Sequence, residues 1–120
     1  MEELLIKFNN RGTLYKIKNL LEKDDFKNYI YLHKFCSMGD LKLVKFLVEN
    51  GADINAINDK KNTPLHEASI AGHLDIVKYL IENGANINAI NSSKNTSLHE
   101  ASIAGHLDIV KYLIENGANI

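Results

Sequence analysis

Residues 64–87 read PLHEASIAGHLDIVKYLIENGANI, and residues 97–120 read SLHEASIAGHLDIVKYLIENGANI. Shifted by 33, segments 63–87 and 96–120 agree at 24 of 25 positions, and only Pro64 against Ser97 differs. The same shift lays YLHKFCSMGDLKLVKFLVENGADINAIN (31–58) over 64–91. A fixed period of about 33 residues marks an array of stacked repeats. With the shift cut to 27, LIKFNNRGTLYKIKNLLE (5–22) falls on LHKFCSMGDLKLVKFLVE (32–49), a fourth and degenerate unit. The six missing residues lie where later units carry GADINAINDKKN, so the first connection is expected to shrink to KDDFKNY (23–29).

Within a repeat, Thr63-Pro64 reads as a helix start. The threonine hydroxyl can accept an orphan N–H, and proline at the first helical position lacks only an N–H that had no partner. Gly72 provides the left-handed residue that stops this helix after about two turns. A second helix is expected from about Leu74 to Asn83, with Gly84 stopping it. On it Leu74, Ile76, Val77, Leu80 and Ile81 cover most of the circumference, while Asp75, Lys78 and Glu82 leave one polar stripe. Helices this short are marginal alone in water. Repetition is therefore a condition of folding, since each copy buries its apolar faces against the next. GADINAINDKKNT (51–63) is left as the connection, read as a hairpin-like finger of two short extended pieces around NDKK, or NSSK at 91–94.

The 120 residues suffice for one domain with a modest core. A formal net charge of −1 offers no electrostatic attraction to nucleic acid or to an anionic membrane. No apolar run approaches the ~20 residues of a transmembrane helix. The start, MEELLIKFNNRG, carries acids where a secretion signal carries bases. Cys36 is the only cysteine and cannot form an internal disulfide, which places the chain in a reducing compartment, cytoplasm or nucleus.

TPLHEA at 63–68, in its 33-residue period, resembles the T-P-L-H-x-A motif of the ankyrin-repeat family. Gly-His-Leu at 72–74, Ile-Val-Lys at 76–78 and Gly-Ala at 84–85 fit the same pattern. The resemblance is closer over 30–120 than over 1–29. It implies an all-α solenoid of stacked helix-turn-helix units with hairpin-like fingers. The single domain 1–120 then divides into a degenerate capping repeat (1–29), repeats 30–62 and 63–95, and a truncated repeat 96–120. Phe8 and Phe35 fill a slot where later repeats have alanine, as a modified cap would. Two departures matter. Lys61 and Lys94 stand where the family usually has a turn glycine, which implies a less tight finger tip. Ser97 replaces the proline, at a cost of a few tenths to about 1 kcal/mol through a freer unfolded chain.

On the first helix Leu65, Ala68 and Ser69 share one face and Ile70 points nearly opposite. The resemblance places Ile70 and Ala71 on a concave surface, with Ser37 and Met38 before them and Ile103 and Ala104 after. The finger tips add Ile57, Asp59, Lys60 and Asn62, then Ile90, Ser92, Ser93 and Asn95. The expected site is a groove with an apolar floor (Met38, Ile70, Ile103) and a polar wall of tip residues; the alternative is scattered surface residues with no partner. The resemblance also puts Asn55 and Asn88 at the finger position that cytosolic asparaginyl hydroxylases modify in some ankyrin repeats, and LVENGADIN (47–55) fits the spacing.

His33, His66 and His99 recur every 33 residues and invite a metal reading. In the family this histidine is structural, hydrogen-bonding near the threonine and the finger backbone, and His73 and His106 are read the same way. HEASI at 66–70 is not H-E-x-x-H, because Ile70 takes the second histidine's place. Cys36 beside His33 lacks the third partner of a nucleophile site. Glu67 and Glu100 sit one repeat apart, near ~10 Å, too far for a retaining carboxylate pair. There is no glycine-rich phosphate loop, and the triplets 91–93 and 95–97 count as glycosylation acceptors only in a secreted chain. The reading is a non-catalytic protein-interaction module without cofactor or metal; the alternative is an inhibitor that occludes an enzyme's active site. Leu98, Leu107, Val110 and Ile114 repeat the interior pattern at the last unit, so fraying, self-association through that end, or a longer array is expected.

Overall fold

The computed structural model describes residues 31–120; the degenerate unit at 1–29, its shortened connection at 23–29 and Phe8 lie outside them. Six helices follow in order, and no strand occurs among the described residues: α1 (Tyr31–Met38), α2 (Leu41–Glu49), α3 (Pro64–Ala71), α4 (Leu74–Glu82), α5 (Ser97–Ala104) and α6 (Leu107–Glu115).

The boundaries follow from the residues named above. Thr63 is extended, and its hydroxyl accepts the His66 N–H, while the His66 side chain takes the Thr63 N–H in return. Thr96 and His99 repeat this reciprocal cap on α5. Gly72 ends α3 at φ 86°, and its N–H donates to the Ala68 carbonyl. A side chain there would also collide with the His106 ring, at 2.6 Å. Asp40 caps its own helix α2 by accepting the Leu43 N–H. His73 and His106, at the matching positions, make no such cap and reach back across a repeat to the carbonyls of Ser37 and Ile70, each at 3.0 Å.

Packing is repeat on repeat. The first helices stack as α1 on α3 on α5, the second helices as α2 on α4 on α6, and each pair closes on itself. One buried cluster runs through all of them, from Leu32, Phe35, Leu43 and Val44 through Leu65, Ile76 and Leu80 to Leu98, Ile109 and Leu113. Leu65, Ala68 and Ser69 are all buried, as the wheel of the first helix requires. Burial of this kind contributes about 25 cal/mol per Å² of apolar surface, and it outweighs the weak propensity of eight- and nine-residue helices.

The fingers are turns rather than ladders of paired strands. In the first, Lys61 N–H donates to Asn58 C=O at 2.8 Å and Asn58 N–H to Asn62 C=O at 3.1 Å. Lys61 and Lys94 adopt φ 58° and 62°, the left-handed conformation that glycine takes more easily. The looser tip expected from lysine is therefore not seen: the hydrogen bonds of the turn hold the lysine in the glycine conformation, at a local cost of about 1 kcal/mol.

Candidate partner-binding groove

The side chains expected to bind a partner lie on the first helices and the fingers. Met38 is 50% exposed, Ile70 38% and Ile103 74%, so all three floor residues reach solvent. Ala104 is exposed and Ala71 half-buried. On the fingers Ile57, Asp59, Lys60, Ile90, Ser92 and Ser93 are exposed, and Asn95 is half-buried.

Asn62 is the correction. It is buried, its amide N–H donates to the Glu67 carboxylate at 3.0 Å, and its side-chain oxygen accepts from Asn91 Nδ2 at 2.9 Å. Its polar atoms are taken up inside the molecule, so it holds the finger in place rather than facing a partner. The finger is tied down further by Asn58. Its Oδ1 accepts the N–H groups of Lys60 and Asn62, and its Nδ2 donates to the same Glu67 oxygen. In the next repeat Asn91 bonds Glu100 in the same way, at 2.7 Å. Successive fingers are joined by Ser92 N–H donating to Lys60 C=O at 2.9 Å. A tip fixed by this many bonds is preorganised.

Between the first finger and helices α1 and α3 lies a groove of about 410 Å³ lined by His33, Lys34, Ser37, Met38, Asn58 and Glu67. A second hollow of about 260 Å³ adjoins it and shares Asn58 and Glu67, with Asp59 and Lys60 on its rim. The fold thus brings Met38, Asp59 and Lys60 together around one carboxylate–amide cluster. Of the expected apolar floor only Met38 lines a hollow; Ile70, Ala71, Ile103 and Ala104, with the finger residues Ile57, Ile90, Ser92, Ser93 and Asn95, line neither. Lys34 and Glu67 were missed as groove residues. Lys34 sits one helical turn before Met38, so the i, i+4 spacing could have found it.

The histidines hold backbone. His33 Nε2 faces the carbonyls of Ala56 and Asn62, both at 2.9 Å, and His66 Nε2 that of Asn95 at 2.9 Å. Because His66 Nδ1 accepts the Thr63 N–H, the proton sits on Nε2 and donates to Asn95. Burial pushes the His66 pKa down, against the opposing pull of the Asn95 bond and the carboxylates of Glu100 and Glu67. Cys36 is wholly buried, and burial, with a smaller contribution from Glu67, pushes its thiol up and keeps it protonated. No group of three His, Cys, Asp or Glu side chains able to hold a metal occurs among the described residues, and no helix among them is long and apolar enough to cross a membrane. Asn55 Oδ1 accepts the Asn86 N–H at 2.8 Å and Asn88 Oδ1 the Asn119 N–H at 2.9 Å, so both asparagines brace neighbouring fingers.

Comparison with protein families matches "Ankyrin repeats (3 copies)" over residues 4–91 and again over 32–120. The chain belongs to the ankyrin-repeat family. Comparison with curated proteins finds no match. Ankyrin repeats are generally protein–protein interaction modules and typically non-catalytic, and the stacked helix pairs with turn-closed fingers are the fold that the sequence implied.

Proposed function

We propose that this ankyrin-repeat domain binds a protein partner on its concave side, over the groove between the first finger and helices α1 and α3. The observation that carries the reading is Met38, an exposed apolar side chain seated in a groove whose rim is charged and whose finger is fixed by Asn58, Asn62 and Glu67. The partner places an apolar side chain on Met38 and polar groups against Lys34, Asp59 and Lys60. Its chain continues over Ile70 and Ala71 toward Ile103 and Ala104, past the tip residues Ile57, Ile90, Ser92, Ser93 and Asn95. Little ordering entropy is lost on the module's side, because the surface is already formed. The reducing compartment read from the unpaired, buried Cys36 belongs to the same reading. Hydroxylation at Asn55 and Asn88 would act on finger bracing, away from the groove, and intact mass after co-expression with such a hydroxylase tests it.

The test is quantitative capture from cell extract with four baits: the wild-type chain, Met38→Arg, Ile70→Arg with Ile103→Arg, and Lys42→Glu at an exposed position of α2. Proteins retained by wild type and Lys42→Glu but lost with both groove variants support the reading. Retention unchanged by the groove variants sinks it. A single enzyme in the lost set, inhibited by the wild-type chain, marks active-site occlusion; a set of unrelated proteins marks adaptor work.

A further inference from the structure

The first helices carry a column of charge on the side that faces the fingers. Position for position it reads Lys34 on α1, Glu67 on α3 and Glu100 on α5. Lys34 and Glu67 line the same groove. Both glutamates are half-buried, and the fingers hold each through one oxygen. Asn58 and Asn62 donate to Glu67 Oε2 at 3.1 and 3.0 Å, and Asn91 donates to Glu100 Oε2 at 2.7 Å. Asn91 Nδ2 also donates to the Asn62 side-chain oxygen, so one polar network pins the two carboxylates together. The second oxygen of each, Oε1, accepts no hydrogen bond among the described residues, and it is not buried. The column is therefore fixed in place and half-satisfied.

Its spacing selects a ligand. Helices packed side by side lie roughly 8–10 Å apart, which sets the rise from one charge to the next. An extended strand turns successive side chains to opposite faces, so its third residue points away from the first. A polyproline II segment has three residues per turn and rises about 3.1 Å per residue, so every third side chain returns to one face about 9 Å further on. We propose that Lys34, Glu67 and Glu100 receive a polyproline II segment of the protein partner that presents one acidic and then two basic side chains, three residues apart. The acid meets Lys34. The basic heads meet the open Oε1 atoms, where a guanidinium gives a charge-assisted bond of fixed direction. Their methylene stems lie on Ile70 and Ile103, one turn further along α3 and α5. No run of these 120 residues has that order of charges at that spacing, and the one proline, Pro64, lies inside α3. This partner chemistry rests on the concave-groove reading above.

The experiment titrates the isotope-labelled full chain with a proline-rich probe peptide carrying glutamate, arginine and arginine at three-residue spacing, and follows the amide resonances. Shifts are expected along α1, α3 and α5. A probe with the three charges inverted, and one with the same charges at two-residue spacing, are expected to bind at least about fivefold more weakly. Glu67→Gln keeps an oxygen for Asn58 and Asn62, so it is expected to weaken the first probe about threefold while leaving the urea midpoint unchanged. Lys34→Glu is expected to weaken it as much, and exchanging the probe's glutamate for arginine to restore the affinity. Equal binding by all the probes, no binding by the first, or an affinity that neither variant moves overturns the proposal. Adding Glu67→Gln with Glu100→Gln as a bait in the capture experiment separates the two readings. Proteins lost with Met38→Arg but fully kept by this bait overturn the charge column and leave the groove standing; proteins lost with neither overturn both.

Discussion

Residues 63–87 and 96–120 differ at one position and form the same pair of helices, yet they live in different surroundings. In the first copy His66, Ser69 and Val77 are buried; in the second His99 and Ser102 are exposed and Val110 is half-buried. The caps, the glycine stops and the helix lengths are alike. Local structure therefore follows sequence, and burial follows neighbours. In a solenoid, stability is the sum of an intrinsic term for each repeat and an interface term for each junction. This molecule holds the first nearly constant and varies the second, so identical substitutions in the two copies read out the junction alone.

The widest gap is expected at the capping histidines. His66→Ala leaves the buried Thr63 N–H and the Asn95 carbonyl without their partner and opens a cavity, a loss of about 3 kcal/mol. His99→Ala removes only the local cap at the exposed end, about 1 kcal/mol or less. Urea unfolding with unchanged slope measures both. Equal losses would mean that the junction bond to Asn95 contributes nothing.

Acid sharpens the same contrast. The folded chain holds the His66 pKa below the ordinary 6.5, because burial penalises the charged imidazolium. Between that lowered value and 6.5 the unfolded chain binds a proton that the folded chain does not. Stability is therefore complete above 6.5 and falls as pH drops through it, by at most about 1.4 kcal/mol per pH unit, until the folded pKa is reached. His66→Gln removes one group's share of that slope. Urea midpoints taken from about pH 7.5 down to about pH 5 decide it, and an acid limb that His66→Gln leaves intact places the sensitivity in another group.

What the sequence disclosed divides along the same line. Helix starts and stops were legible because Thr63, Pro64 and Gly72 act within one repeat. That Ile70 lies off the packed face of its helix was legible from the wheel of a single helix, and it is exposed while Leu65, Ala68 and Ser69 are buried. Asn62 was not, because its burial depends on Asn91, 29 residues away, which no local pattern displays. The left-handed Lys61 was misread for a related reason: its propensity argued for a loose tip, but the bonds from Asn58 and the next finger override a preference worth about 1 kcal/mol.

Serine gives a contrast of opposite outcomes. The Ser69 hydroxyl is buried without a hydrogen-bond partner, while Ser102 donates to the Leu98 carbonyl at 2.7 Å in an exposed setting. Ser69→Ala is expected to raise stability by about 1 kcal/mol, since an unpaired buried hydroxyl is removed, and Ser102→Ala to change it little. A destabilised Ser69→Ala would show that the hydroxyl has a partner in solution.

The smallest expected effect lies at the one position where the copies differ. Ser97 occupies the first turn of α5, where its N–H has no intrahelical partner to lose. Thr96 before it already has φ −85° and ψ 173°, close to the φ −86° and ψ 168° of Thr63, which precedes a proline and is confined to that extended region. Pro64 and Ser97 are equally buried, so a ring is accommodated there. Ser97→Pro should therefore raise stability by about 0.5 kcal/mol, through fewer conformations in the unfolded chain rather than through any new contact. The midpoint of urea unfolding should rise while its slope stays fixed. A fall instead would mean that the end copy, lacking a neighbour, does not hold the backbone of its twin, and that stacking sets the local conformation as well as the burial.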